Sequence, residues 1–208
     1  PGDLEPGPLN AITDVAGVLV GQTTIWWGDG PLGPGHGPAR TGVTVVLPHP
    51  GNLFQEKVPA AFHVINGFGK SAGLMQLAEL GQIETPLLLG NTLSVGTGFD
   101  ALVTRALAAN PDIGRETGTV NPVVLECNDG FLSDIRARAL TQAHAFAALL
   151  RTPGAVAGDD PRQRRVAPAQ QAIVLDVVGR RQLPPRDDVV DGEKQHHRRA
   201  EGDHQRAL

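Results

Sequence analysis

The feature that most constrains this chain is an abrupt change of composition at Leu150. All eight aromatic residues, the single cysteine and methionine, and all three serines (Ser71, Ser94, Ser133) lie at or before Phe146. Residues 151–208 carry ten arginines in fifty-eight positions and neither an aromatic nor a serine. The rings that contribute most to a packed core are therefore available only to the first 150 residues. Charge divides at the same place. Residues 1–150 hold seven basic and thirteen acidic side chains, a net of -6, whereas the remainder holds eleven and nine, a net of +2.

A chain of 208 residues suffices for one sizeable core and a small second unit. Its overall charge of -4 gives no reason to expect nucleic acid or an acidic membrane surface as partner. A single cysteine excludes an internal disulfide framework and any zinc site built from several cysteines. No apolar run reaches the roughly 18–20 residues that span a bilayer. The chain opens on Pro1-Gly2-Asp3 and not on a signal peptide, so a trimmed, soluble, cytoplasmic protein is the expectation.

Strand and helix signals alternate up to residue 150. Residues 15–25 read as a strand pair or a bent strand broken at Gly17 and Gly21, and the Gly- and Pro-rich stretch 27–39 as a loop. Val43-Thr44-Val45-Val46-Leu47 before Pro48 is a buried-strand signal, and Leu87-Leu88-Leu89 is another. Leu74, Leu77 and Leu80 before Gly81 predict a helix over 70–80. Phe99, Leu102, Val103, Ala106 and Leu107 predict an amphipathic helix that closes at Asn110-Pro111. Residues 120–126 read as a strand leading into the turn Asn128-Asp129-Gly130. Ile135, Ala139, Ala143, Phe146 and Leu150 then line one face of a third helix. The sum is a layered α/β domain over residues 1–150. Beyond it, residues 173–178 offer one buried strand amid arginine pairs, prolines and acids, a composition expected to leave much of 151–208 irregular or poorly ordered.

Candidate chemistry is sparse. Ser133 and Ser71 sit where helix N-caps are expected, and Ser94 lacks a G-x-S-x-G elbow. Cys127 at a strand end reads as a small buried hydrophobe or, alternatively, a thiolate. His36, His49, His63 and His144 lack metal-motif spacing, and His196, His197 and His204 have no acidic or cysteine frame. Gly96-Thr97-Gly98-Phe99-Asp100-Ala101 matches G-x-G-x-x-A with Glu116 twenty residues on. A polar segment separates it from the preceding strand, however, so glycines shaping a helix start compete with a dinucleotide site. The best candidate is the segment from Glu126 to Asp134. It places a carboxylate (Glu126), an amide (Asn128) and an aromatic (Phe131) at a strand-to-helix turn, where α/β layers present ligand contacts, although Asn-Asp-Gly is also an ordinary tight turn.

Read together, ordered segments carry more than any one of them. They are Asn10-Ala11-Ile12-Thr13-Asp14-Val15, Gly17-Val18-Leu19-Val20-Gly21, Gly28-Asp29-Gly30 and Arg40-Thr41-Gly42-Val43-Thr44. After them come Ile65-Asn66-Gly67-Phe68-Gly69-Lys70, Glu79-Leu80-Gly81, Asn91-Thr92-Leu93-Ser94-Val95-Gly96 and Asn128-Asp129-Gly130. Over residues ~9–150 this resembles the N-terminal part of the L-aminopeptidase D-amidase/D-esterase family, which includes the β-peptidyl aminopeptidases. The resemblance implies a four-layer α-β-β-α sandwich like that of N-terminal nucleophile hydrolases. It implies self-cleavage into two chains, with the new N-terminal serine as nucleophile and its own α-amino group as base. It also implies short peptide, amide or ester substrates with a free amine, no metal or organic cofactor, and a homo-oligomer of the processed pair.

By the same resemblance Glu126 is a candidate for pairing with a substrate ammonium, alongside a structural role as a buried carboxylate. Phe131 stands where the family commonly has a tyrosine, and Gly90 where many relatives have threonine. The family's Lys-Gly-Gly-Ile-Gly stretch, further strands and self-cleavage serine have no counterpart in residues 151–208. The expectation is an N-terminal aminopeptidase region without a nucleophile of its own, inactive alone and in need of a second chain, followed by a tail that reflects a reading-frame change near codon 150. The rivals are a non-catalytic domain that binds small amines or pairs with another subunit, and a nucleotide-binding protein built on Gly96 to Ala101.

Overall fold

The computed structural model describes residues 5–150 together with the strand Val174–Val177. The expectations of a disordered tail, of a frame-changed tail and of a histidine cluster at 196–204 lie outside the described residues.

The first long strand, β1 (Leu19–Trp27), runs through Gly21 without a break and pairs antiparallel with β2 (Ala39–Leu47) in the register Leu19↔Leu47 to Trp27↔Ala39. Of the two glycines only Gly17, at φ 88, is a turn position, just before β1. Next come β3 (Val58–His63), β4 (Ser71–Ala72), α1 (Leu74–Leu80), β5 (Gln82–Ile83) and β6 (Leu87–Gly90). They are followed by α2 (Val95–Ala109), β7 (Val123–Glu126), α3 (Gln142–Leu150) and β8 (Val174–Val177). One sheet has the order β1-β2-β6-β7-β4, and a second has the order β5-β3-β8. Among the described strands only β6 and β7 pair in parallel, and α2 makes the crossover between them.

Strict alternation explains the layering. Val43, Val45 and Leu47 of β2, Leu88 of β6 and Val124 of β7 point to one face, where they pack with Ala101 and Leu102 of α2 and with Ala145, Ala148 and Leu149 of α3. Val46, Leu87, Val123 and Leu125 point to the other, where they meet Ala60 of β3, Leu77 of α1 and Ile83 of β5. Helices, a large sheet and a smaller second sheet are thus stacked around two apolar layers, as the α/β expectation required. Gly98 lets α2 lie close on this sheet: a Cβ there would stand 2.7 Å from Leu88 Cδ2.

Two expected helices are shorter than their apolar spacing suggests. Residues 71–72 form β4 against Val124 and Leu125, and Gly73 at φ 84 separates them from α1. The helix expected from Ile135 to Leu150 is two pieces, a 3-10 turn over Ile135–Ala137 and then α3. Arg138 leaves helical space at φ 47, and Leu140 turns into the core. Burying Leu140 outweighs continuing the backbone ladder, because Thr141 N finds a new acceptor in His144 Nδ1 at 3.1 Å. The strand expected over 173–178 corresponds to β8, which pairs antiparallel with β3.

Candidate active site

The C-terminal ends of the parallel pair set Gly90 beside Glu126, so the segments that follow both strands leave the sheet together. Cys127 N closes the pair by donating to Gly90 O at 2.6 Å, and Glu126 N donates to Lys70 O at 3.0 Å. By alternation Thr41, Gly90 and Glu126 share the face covered by α2 and α3. Gly90 is small because Leu140 fills the space: a Cβ would meet Leu140 Cδ1 at 3.2 Å.

Beyond the strands, Asn91 Nδ2 donates to Asp129 Oδ1. Asn91 Oδ1 in turn accepts from Leu93 N at 3.0 Å and caps the 3-10 turn Thr92–Ser94 that leads into α2. Burial pushes the Asp129 carboxyl above its ordinary value, while Thr41 and Asn91 act the other way. Thr41 Oγ1 lies near enough to favour the carboxylate, yet it makes no hydrogen bond of normal geometry among the described residues. Glu126 Oε2 and Thr92 Oγ1 are also buried without a hydrogen-bond partner there. Unsatisfied buried oxygens are few in a folded chain, and Glu126 Oε2 and Thr92 Oγ1 are two of them beside the same strand ends.

The three site residues expected from the sequence divide between two places. Glu126 brings its unpartnered oxygen to the strand end. Asn128 acts on its own turn, its Oδ1 accepting from Gly130 N at 3.0 Å. Phe131 is 93% exposed and lines an open hollow of about 460 Å³ with Trp26, Leu32, Pro38, Arg40 and Leu132. Neither Glu126 nor Asn128 lines that hollow.

The serines and the cysteine are not poised for attack. Ser133 is buried and its Oγ accepts from Arg40 N at 3.0 Å, so it joins two loops instead of capping a helix. The cap falls to Asp134, which accepts from Arg136 N at 3.1 Å and Gly37 N at 3.0 Å. The Gly37 N–H, foremost, holds the Asp134 carboxyl below the usual range. Ser71 lies on β4, and Ser94 is buried at the start of α2. Burial, and then the charges of Asp129 and Glu126, push the Cys127 thiol up, so it is protonated at neutral pH. Among the described residues no group of three or more His, Cys, Asp or Glu could hold a metal ion, and no helix is long and apolar enough to cross a membrane.

A similar sequence and a similar fold recur in known proteins. Residues 10–162 match peptidase family S58. The chain belongs to that family. The match runs past the compositional break at Leu150. The chain is 42% identical over 144 residues to β-peptidyl aminopeptidase BapA of Sphingosinicella xenopeptidilytica, an alignment covering 69% of this chain and 35% of the relative. Among solved structures it resembles the PH0078 protein from Pyrococcus horikoshii OT3, at 53% identity and a TM-score of 0.70 over 73% of this chain and 43% of that one. It also resembles the L-aminopeptidase D-Ala-esterase/amidase of Ochrobactrum anthropi, described as a variant of the Ntn hydrolase fold, at 34% identity and a TM-score of 0.62 over 74% and 42%. This S58 chain therefore has the α/β architecture of Ntn hydrolases and spans about a third of the length of the curated relatives it matches.

Asn91, Asp129 and the hollow residues Trp26, Leu32 and Arg40 were not named individually as site residues from the sequence, although the segment Glu126 to Asp134 includes Asp129. Parallel strands joined by a helix were the available signal for the first pair, since ligands gather beyond the carboxyl ends of such strands.

Proposed function

We propose that this chain is the N-terminal, non-self-sufficient part of a serine aminopeptidase. The complete enzyme would release N-terminal residues from short peptides, amides or esters. The observation that carries this is the membership of residues 10–162 in a peptidase family together with the unpartnered buried oxygen of Glu126 at the strand end. In this reading Glu126 receives the substrate ammonium as a charge-assisted partner, and Asn128 shapes the turn beside it. Phe131 contributes a wall but no hydroxyl, so it cannot donate to a developing oxyanion. The nucleophile comes from the part of the family's length that this chain does not span, since among the described residues no serine hydroxyl is hydrogen-bonded to a base. We propose further that residues 1–150 act as the functional region and that residues 151–208 reflect a reading-frame change. Sequencing the gene across codon 150 tests the latter: a glycine-rich family segment in another frame supports it, and its absence from all frames overturns it.

The test of function is complementation. The chain is produced together with the complementary C-terminal part of the 53% identical Pyrococcus protein, and hydrolysis of an aminoacyl-nitroanilide is followed. The chain alone should be silent, the pair should turn over, and Glu126→Gln should raise KM of the pair. Turnover by the chain alone that is lost on changing Ser94 or Cys127 would overturn the proposal. Saturable amine binding with no hydrolysis by the pair would support the non-catalytic rival.

A further inference from the structure

The open hollow beyond the strand ends is built from two loops that are stitched to each other. Gly37 N donates to Asp134 Oδ2 at 3.0 Å, Asp134 N to Pro38 O at 2.9 Å, and Arg40 N to Ser133 Oγ at 3.0 Å. These three bonds join residues about a hundred positions apart. They hold the segment 28–38 opposite Phe131 and Leu132, so the walls are fixed before anything binds. Gly37 makes the close approach possible: it sits at φ 96, and a Cβ there would stand 2.3 Å from Trp27 Cζ3.

The lining side chains are apolar apart from the indole N–H of Trp26 and one charged group, the guanidinium of Arg40. That group is already committed. Arg40 Nη1 donates to Trp27 O and Ala39 O at 2.8 Å each, and Nη2 to Gly28 O at 2.5 Å and Asp29 Oδ1 at 3.3 Å. Its flat face lies 4.1 Å from the Trp26 ring centroid. With three N–H groups held by carbonyls, a fourth by the Asp29 carboxylate and its face stacked, this arginine has little left to offer an incoming carboxylate. With the Asp29 carboxylate as its counterion at 3.3 Å, Arg40 leaves the hollow without an unpaired charge, which suits a neutral group better than an anion. Trp26 and Phe131 are 70% and 93% exposed, which leaves two rings with much of their surface in water and available to cover a ligand. About 460 Å³ is ample for one aromatic or branched aliphatic side chain and is typical of small-molecule sites.

We infer that the hollow formed by Trp26, Leu32, Pro38, Phe131 and Leu132 is a specificity subsite for an uncharged aromatic or large aliphatic side chain of the ligand. As a substrate subsite it rests on the aminopeptidase reading; as a binding site for an apolar side chain it stands on the geometry alone. Arg40 is a positioning residue here: it holds the 28–38 segment through its carbonyl bonds and props Trp26 against the hollow.

Direct binding to the 208-residue chain tests this without requiring turnover. In a Trp27→Phe background Trp26 is the only indole, and its fluorescence is followed while L-phenylalaninamide, L-alaninamide or L-aspartic acid α-amide is added. The expected result is a saturable change with phenylalaninamide, a much weaker response to alaninamide and none to the acidic amide. Phe131→Ser and Leu132→Ser, both at exposed positions that folding does not depend on, should each weaken phenylalaninamide binding about tenfold through lost apolar contact. Met75→Ser, on α1 and away from the hollow, should leave it unchanged. A non-saturable response, equal binding of the acidic amide, or unaltered binding by both loop variants overturns the subsite. Loss of preference without loss of hydrolysis separates the two proposals: a complemented pair whose Phe131→Ser variant keeps the parent's side-chain preference overturns the subsite and leaves the aminopeptidase reading intact. Binding by the chain with no hydrolysis by the pair does the reverse.

Discussion

Asn91 donates its amide hydrogen to Asp129 Oδ1, and this one contact joins the segments that leave β6 and β7. It also sets how α2 begins, because the oxygen of the same carboxamide holds Leu93 N. Asp129 is half-buried and is displaced toward its protonated form by burial. A carboxyl raised on folding binds its proton more tightly in the folded chain. Its contribution to stability is then full below the unfolded value of about 3.9 and is lost as pH rises through the raised value. Asp129→Asn keeps an acceptor for Asn91 and removes the titration. The variant should gain on the parent in denaturant midpoint as pH rises from about 4 toward neutrality. A parent–variant difference independent of pH would sink the assignment.

Asp134 should behave with the opposite sign. The Gly37 N–H holds its carboxyl low, so its contribution is present above the unfolded value and is lost as pH falls through the lowered one. Asp134→Asn should cost stability at neutral pH, with the gap to the parent closing in strong acid. It should also loosen the hollow, read as faster amide exchange over residues 28–38. Exchange unchanged in that segment would show that the two loops are not coupled through Asp134.

Cys127 is expected to be a poor nucleophile. With its thiol pushed up by burial and by two neighbouring carboxylates, alkylation by iodoacetamide at neutral pH should run at least about tenfold slower in the folded chain than in urea. Equal rates would mean that the thiolate is available after all.

Gly98 should resist replacement. Its Cβ would press on Leu88 Cδ2 at 2.7 Å and Val124 Cγ1 at 3.1 Å, both buried in the layer beneath α2. Gly98→Ala is expected to cost about 1–3 kcal/mol through overpacking, despite alanine's better helix propensity. Gly96 meets nothing within 4 Å, so Gly96→Ala should be neutral or mildly stabilising in the same denaturant titration. This contrast separates packing from a shared phosphate-binding role for the two glycines, which would make both changes abolish dinucleotide binding.

The isolated chain should self-associate. Trp26, Phe68, Met75 and Phe131 are each at least 70% exposed, and β1 ends one side of the larger sheet. Together they present apolar surface and a long strand edge to water. Sedimentation should show mass rising with concentration. A monodisperse monomer with a cooperative melt would count against this.

Much of the architecture was legible because burial imposes period. The run Val43 to Leu47 and the triplet Leu87 to Leu89 could be little other than strands covered on both faces, and Phe99 to Leu107 could only be a helix with one buried stripe. The same logic misled at Ile135 to Leu150, where helical spacing was real but Leu140 had a better place in the core. Short strands such as β4 and β5 left no pattern, since two residues are too few for a period; only their partners define them.

The order of glycine, asparagine and aspartate segments determined the family from the sequence alone, because turn chemistry is local and each turn type demands its own residues. The composition also placed all three serines of these 208 residues before Phe146. Only the tertiary structure decided which polar groups meet. It tied Asn91 to Asp129 and left Glu126 Oε2 without a partner. It also committed four of the five N–H groups of Arg40 to its own loop and paired its charge with Asp29, which left the hollow between Trp26 and Phe131 without an unpaired cation. Such pairings depend on strands far apart in the chain being brought into one register, and burial enforces that register through side chains that take no part in the chemistry.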